Sequence, residues 1–348
     1  NQYTPSLDLP PVVLAFDHDG NDNYRWRSGA QHSLDIKAVD ELSLLTGIEF
    51  ERRNVGTYRS YLAVDQSSPI ATIMEADSTD ELAAYAQLDY WTGKWRCVAG
   101  ARVIDNEKAG SKVTPRASVV YNFTDKQSLK LLYAVGFRSP GFVHSSIDIP
   151  GLVIGDPDLA PETITSVDLA YTYNTPRVLF VINAYTFDAD DFVRRVPSAD
   201  PSYATTYRNT DRFTRSGFEV DLKRRFDRLS IIANVSYNHE GDSWDDDDPT
   251  ASIVPQTVVN VGASYDLNER HTLAATVQAV SERSTTDAYQ VANITHTYRR
   301  KAVEAFISLR NITEEDPHNP DTGSGVPTMS HPRDYDKLNY LAGMKLYF

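Results

Sequence analysis

One cysteine, Cys97, is all that a chain of 348 residues contains. No internal disulfide can staple the fold, which must rest on strand pairing and packing. Long apolar runs are missing too. No stretch of about 18 hydrophobic residues occurs, so a transmembrane helix is excluded. Positive charge is scarce: 34 Lys and Arg stand against 48 Asp and Glu, for a formal net charge of -14. Without a basic stripe, a nucleic-acid partner is excluded. The opening residues, NQYTPSLDLPP, have neither the basic nor the apolar region of a signal peptide. Extended helical periodicity is also lacking, and no constellation of nucleophile, base and orienting group stands out.

What is abundant is tyrosine, with 20 Tyr against 13 Phe and 4 Trp. Its apolar ring and polar tip suit the two boundaries of a membrane. A mean hydropathy of -0.42 fits a soluble protein, but it fits equally a barrel in which only alternate residues meet lipid. Strand pattern decides between them. Period-two alternation runs through segments of about ten residues. Pro115, Ala117, Val119, Tyr121 and Phe123 oppose Arg116, Ser118 and Asn122, and Leu129, Leu131, Tyr133, Val135 and Phe137 oppose Lys130, Ala134 and Gly136. Val167, Leu169, Tyr171 and Tyr173 repeat the pattern, as do Phe218, Val220 and Leu222, then Leu229, Ile231, Ala233, Val235 and Tyr237. Short turns at 174–176, 226–228 and 267–270 alternate with long polar stretches at 57–79, 139–162, 240–253 and 314–336. Short turns at one rim and long loops at the other predict an all-β, antiparallel transmembrane β-barrel of about 16 strands in a single domain, residues 1–348. The last segment alternates Leu338, Tyr340, Ala342, Met344, Leu346 and Phe348 with more polar neighbours.

From about residue 83 onward the order of motifs resembles the C-terminal part of a TonB-dependent outer-membrane receptor. Residues 84–105 (AYAQLDYWTGKWRCVAGARVID) resemble the family hairpin that carries Gly-x-Arg, here Gly100 and Arg102. Residues 133–140 (YAVGFRSP) resemble its Phe-Arg-Ala-Pro box, with Ser139 for Ala, and 155–162 (GDPDLAPE) its Asn-Pro-Asp-Leu-x-Pro-Glu segment. Gly217 and Glu219 in a long strand, RNI at 310–312 and the aromatic Phe348 follow in family order. The resemblance implies active uptake of a scarce nutrient across the outer membrane of a Gram-negative-type cell: a ferric siderophore first, then haem or cobalamin. It implies about 22 barrel strands, of which these are the last 16 or so, and a plug and TonB box that this sequence lacks. The chain is therefore expected to be the C-terminal portion of a longer receptor. Expected partners are outer-membrane lipid and lipopolysaccharide, TonB through a missing N-terminal segment, the barrel-assembly machinery through the strand ending at Phe348, and a small iron-chelate or vitamin ligand. The competing functional readings are a passive, porin-like channel closed on itself and a soluble β protein.

Candidate chemistry is sparse. Asp17, His18 and Asp19 form a metal-like triplet, yet neighbours along a strand face opposite ways and rim decoration is the plainer reading. His32 and His239 fall within strands as lumen-lining residues. His144 lies between the two boxes in a long loop, where a neutral imidazole could ligate haem iron, with haem only as cargo. Arg138, Asp156 and Asp158 complete the candidate ligand-binding set. Five carboxylates in 242–248 (DSWDDDD) make Asp245, Asp246, Asp247 and Asp248 a candidate Ca2+ site in an outer loop, against the plainer reading of a solvated acidic loop. Arg138, Glu162, Arg215 and Glu219 are read chiefly as structural charges that pair with a plug or with one another. No resident cofactor is expected.

Overall fold

The computed structural model describes residues 14–18, 23–35, 41–62, 68–210, 212–240, 254–283, 286–315, 317 and 337–347. The candidate site at Asp245–Asp248 and the terminal Phe348 lie outside the described residues, as does Asp19. In chain order the strands begin with β1 (Leu14–His18), β2 (Tyr24–Asp35), β3 (Leu42–Val55), β4 (Tyr58–Leu62), β5 (Ala71–Met74), β6 (Asp77–Thr92) and β7 (Trp95–Asn106). There follow β8 (Gly110–Thr124), β9 (Gln127–Arg138), the short helix α1 (Phe142–Ser146), β10 (Asp148–Ile149), β11 (Val153–Ile154), β12 (Glu162–Thr175) and β13 (Val178–Asp190). The series closes with β14 (Phe192–Pro197), β15 (Thr205–Thr210), β16 (Phe213–Arg225), β17 (Leu229–Glu240), β18 (Thr257–Asp266), β19 (His271–Val280), β20 (Tyr289–Arg300), β21 (Val303–Arg310) and β22 (Asn339–Leu346).

Among the described residues, fifteen strands make one sheet in the order β2-β3-β6-β7-β8-β9-β12-β13-β16-β17-β18-β19-β20-β21-β22, against the expected number of about 16. Two small sheets are β1-β4-β5 and β10-β11-β15-β14; all their strands but β1, which precedes β2, occupy long connections of the large sheet. Two of the stretches read as loops, 57–79 and 139–162, are thus partly ordered into strands and a helix. A further long excursion, between β13 and β16, holds the antiparallel β14–β15 hairpin. The alternation of turn lengths also has an exception. Only three residues join β7 to β8, where the Asn106 side chain accepts from the backbone N–H groups of Lys108 and Ala109 at 3.1 and 3.0 Å. This local cap makes a tight turn where a long loop was expected.

The chain divides into two compact units. One comprises Asn1–Val119, Tyr133–Ser166 and Asp188–Arg212, and the other Val120–Leu132, Val167–Phe187 and Phe213–Phe348. In the first, β2, β3, β6 and β7 pair antiparallel without a register break. Ile48 and Leu82 sit on one face at 60% and 57% exposure, with Val103 exposed beside them. The other face is polar: Arg102 pairs with Glu49 at 2.8 Å, and the Tyr85 hydroxyl donates to Gln31 at 2.9 Å. Gly47 clears the Tyr85 ring, since a Cβ there would lie 2.4 Å from it. Further along this face the nearly buried Glu51 carboxylate accepts from Arg25 and Arg27, both at 2.7 Å.

The second unit repeats the division. Cross-strand rows Val220–Val235–Val259–Ala279 and Leu222–Ala233–Val261–Val277 form the apolar face. The polar face is a ladder of short side chains that satisfy one another. Asn260 donates to Asn234 at 2.8 Å, Asn293 donates to Thr276 at 3.2 Å, and Thr295 bonds Ser308 at 2.8 Å. Ile232 breaks the pattern on the polar face, packing where Gly262 has no side chain. In β22, Tyr340, Ala342, Met344 and Leu346 lie opposite Leu309, Ile307, Ala305 and Val303, with Tyr340 at 80% and Met344 at 67% exposure.

Such rows of exposed branched and aromatic side chains exceed what a water-soluble surface carries and match a surface that meets lipid. The test is an asymmetry between faces. Val261→Arg, in the middle of β18, should lower the unfolding free energy in lipid bilayers by about 2–4 kcal/mol. Gln278→Arg on the polar face should change it by less than about 1 kcal/mol. Urea unfolding followed by Trp fluorescence measures both.

Candidate functional site

The residues singled out in the two boxes gather in the first unit. β9 ends on Arg138, and Ser139-Pro140-Gly141 turns the chain into α1. The helix is only five residues long, too short to show a period, which is why His144 was expected in a loop. His144 and Ser145 both donate backbone N–H groups to the Gly141 carbonyl, at 2.9 and 3.3 Å. The second box docks on this helix. Gly155 donates to the Ile147 carbonyl at 2.6 Å and Asp156 to that of His144 at 2.9 Å. A Cβ on Gly155 would come within 2.7 Å of the Ser145 carbonyl carbon and the Ser146 nitrogen, so only glycine permits this approach.

Arg138, the last residue of β9, and Glu162, the last residue of the second box, form a forked ion pair. Arg138 Nη2 donates to Glu162 Oε1 at 2.7 Å and Nε donates to Oε2. Glu162 Oε1 also accepts from the Val193 backbone N–H at 2.9 Å, and its side chain is 6% exposed. Three donors hold the Glu162 carboxylate, and the fork aligns the Arg138 guanidinium between the two boxes. Asp156 Oδ1 closes its own turn, accepting from the Asp158 backbone N–H at 2.9 Å. The Asp158 side chain stays exposed. His32 lies opposite Thr46 and His239 opposite Ser216, which puts both on the apolar faces, with Ile48 and with Val235, instead of on the expected lumen side. Asp17 and His18 are paired in register with Arg59 and Tyr58 of β4.

Three residues that the sequence reading passed over complete the assembly. Asn209 of β15 accepts from the Ala160 N–H at 2.7 Å and donates to the carbonyls of Ala160 at 2.9 Å and Asp191 at 2.6 Å. Tyr207 sets its ring 4.9 Å from that of His144. Asp77, at the start of β6, pairs with Lys108, accepts from Ser146 at 3.4 Å, and leaves the Lys108 ammonium 5.4 Å from the Phe142 ring. A sequence signal did exist for the hairpin that carries Asn209: SADPS at 198–202 is a turn between two short β-rich runs.

The His144 imidazole is held below its ordinary pKa of 6.5, first by burial and then by the nearby Arg138 charge, with Glu162 opposing. At neutral pH it is uncharged, with a lone pair available. Tyr203, outside the main sheet, is pushed above its ordinary pKa of 10.0 by its hydrogen bond to Asp148. A cavity of about 110 Å³ lies under the box helix, lined by Arg53, Asn106, Lys108, Ser139, Phe142 and Leu159 among others. It suits a few waters and is too small for a metal chelate. Ser139, which replaces the usual alanine, has a buried hydroxyl with no protein partner among the described residues. A larger, more open cavity of about 460 Å³ opens on the polar face, with Gln31, Glu49, Tyr85, Arg102, Thr114 and Arg116 along its wall. Among the described residues no three His, Cys, Asp or Glu side chains converge on a metal position.

Comparison with known proteins supplies the frame for this geometry. The family model described as TonB dependent receptor-like, beta-barrel, matches residues 2–312. An iron-regulated outer membrane virulence protein of Vibrio cholerae is 28% identical over 163 residues, 42% of this chain and 25% of that protein. Among solved structures, the siderophore receptor PirA from Acinetobacter baumannii aligns with a TM-score of 0.70 at 16% identity, covering 99% of this chain and 56% of that one. A variant of the ferric enterobactin receptor PfeA from Pseudomonas aeruginosa gives 0.70 at 14% identity, over 97% and 55% of the two chains. The chain thus spans little more than half the length of these receptors. At such identities the likeness is one of fold: the antiparallel transmembrane β-barrel.

Two outcomes test the box assembly. Asn209→Ala removes three hydrogen bonds and should destabilise the 155–162 segment by about 1–3 kcal/mol, read as faster amide exchange there and in β14. For pH the sign follows from a folded pKa below the unfolded one. The contribution of His144 is whole above about pH 6.5 and is lost as pH falls toward the folded value. Protection of the α1 amides, taken relative to the intrinsic exchange rate at each pH, should therefore fall between pH 7.5 and pH 5, and His144→Asn should flatten that dependence.

Proposed function

Because the chain belongs to the TonB-dependent receptor-like β-barrel family, we propose that it supplies the barrel of an active uptake receptor whose cargo is a ferric siderophore. The family is one of outer-membrane receptors rather than enzymes, and its members reside in the outer membrane. In the intact protein, energy would arrive from the inner membrane through TonB, by way of a segment N-terminal to the barrel. The observation that carries the cargo class is the wide cavity on the polar face, in which Arg102 and Arg116 offer cationic groups and Tyr85 an aromatic one. An anionic, ring-bearing iron chelate matches that wall in charge and in size. The names of the similar proteins point the same way: an iron-regulated protein and two siderophore receptors.

Haem is the second reading, favoured by the neutral imidazole of His144. It would need His144 to turn away from Tyr207. The two separate by variant. With siderophore as cargo, Arg102→Ala in the intact receptor should weaken binding of a ferric catecholate by about three- to tenfold, roughly 0.6–1.4 kcal/mol, and His144→Ala should leave it nearly unchanged. Uptake of iron-55 by iron-starved cells should stop both when the gene is deleted and when TonB is absent. Uptake that survives loss of TonB would instead mark a passive channel, and loss of haem uptake alone in His144→Ala would mark a haem receptor.

A further inference from the structure

Two histidines of the second unit stand outside the candidate site and meet each other. His271 opens β19 and His296 lies within β20, and the strands pair so that His271 is opposite Tyr298 and His296 opposite Leu273. The two side chains are therefore diagonal neighbours on one face. His271 Nδ1 and His296 Nε2 are 3.0 Å apart, the rings lie 5.2 Å apart at 18°, and the Tyr298 ring is 5.0 Å from His271. The face is the apolar one: Leu273 and Ile307, the direct cross-strand neighbours of His296, are exposed. The position is next to a short turn, where the backbone of His271 is clamped. Its N–H is held by Asn268 Oδ1 at 3.2 Å and its carbonyl accepts from the Leu267 N–H at 2.9 Å.

We propose that His271 and His296 form a two-imidazole binding site for a first-row divalent transition metal cation of the zinc, nickel or copper kind. A cation with metal–nitrogen bonds of about 2.0–2.1 Å and ligand angles between about 90° and 109° requires two donor nitrogens about 2.9–3.3 Å apart. The observed 3.0 Å falls within that span. Without metal, the same two nitrogens share one hydrogen in an N–H···N bond. Binding moves that proton to the far nitrogen of its own ring by tautomerisation, freeing both lone pairs with no change in charge on either imidazole. Both donors ride on paired strands, and one is pinned by its turn, so little ordering is needed. Among the described residues no third His, Cys, Asp or Glu joins them. The remaining coordination positions fall to water at the exposed side of the half-buried pair.

Calorimetric titration of the full chain in detergent with Zn2+, and separately with Ni2+, tests the site. The expected result is a saturable site of roughly micromolar dissociation constant, weakened about tenfold or more in each of His271→Gln and His296→Gln. Equal affinity and stoichiometry in wild type and both variants would overturn the proposal, because the other histidines would then account for binding. So would the absence of saturable binding in the wild type, which would leave the pair as a shared-proton contact. Should either variant fail to fold, judged by loss of heat-modifiable gel migration, the wild type alone decides. Its Cu2+ electron paramagnetic resonance spectrum must show two nitrogen donors, and one or none refutes the assignment.

Discussion

A strand that crosses hydrocarbon has no water to satisfy its backbone, so each N–H and C=O must find a partner on a neighbouring strand. That demand sets the long, unbroken registers seen between β2, β3, β6 and β7 and from β16 to β22. Once the ladder is fixed, side-chain direction is no longer free. Successive residues point to opposite faces, and a slip of one would put Asn234, Asn260 and Thr276 into lipid and Val235, Val259 and Val277 into water. Membership of the alternation is therefore enforced by the backbone, and the exposed rows around Ile48, Leu82 and Val261 are its outcome.

The polar face answers a second demand. It cannot be a dry core, so it carries groups that are stable with or without an occupant. Short amide and hydroxyl pairs serve this in the second unit, while the first uses charges held in networks. Glu51 gathers Arg25 and Arg27, and Arg102 holds Glu49 beside the open cavity. Paired charges at such a wall keep a strong local field while avoiding the cost of an uncompensated buried ion. The Arg102–Glu49 pair is itself part-exposed, so water screens it on the cavity side.

How far these features could be read from the sequence varied with their range. The strands around Val167–Tyr173, Phe218–Leu222 and Leu338–Leu346 were plain, since period two is visible within a few residues. Arg138 and Glu162 could be anticipated as structural charges, because each belongs to a recognisable box, although which charge pairs with which could not. The α1 turn under His144 could not, being shorter than any helical period. Nor could Asn209, whose three partners lie 18 and 49 residues away, or the parallel pairing of β11 with β15 that the same hairpin makes. Contacts of that span depend on which connection folds over which, and local composition carries no record of it.

The His271–His296 contact shows the same limit from the other side. Each residue by itself is an unremarkable polar interruption in an apolar row, and 24 residues separate them in sequence. Their nitrogens meet only because the turn at 267–270 fixes where β19 begins and the β19–β20 register then sets His296 one step diagonal. A shift of one residue in that register would send His296 to the opposite face from His271 and abolish the contact. The register is itself held by the apolar row containing Leu273, Ala275 and Val277, which lipid will not let turn inward. The solvent that selects the barrel thus also sets the distance between two donor atoms at its rim.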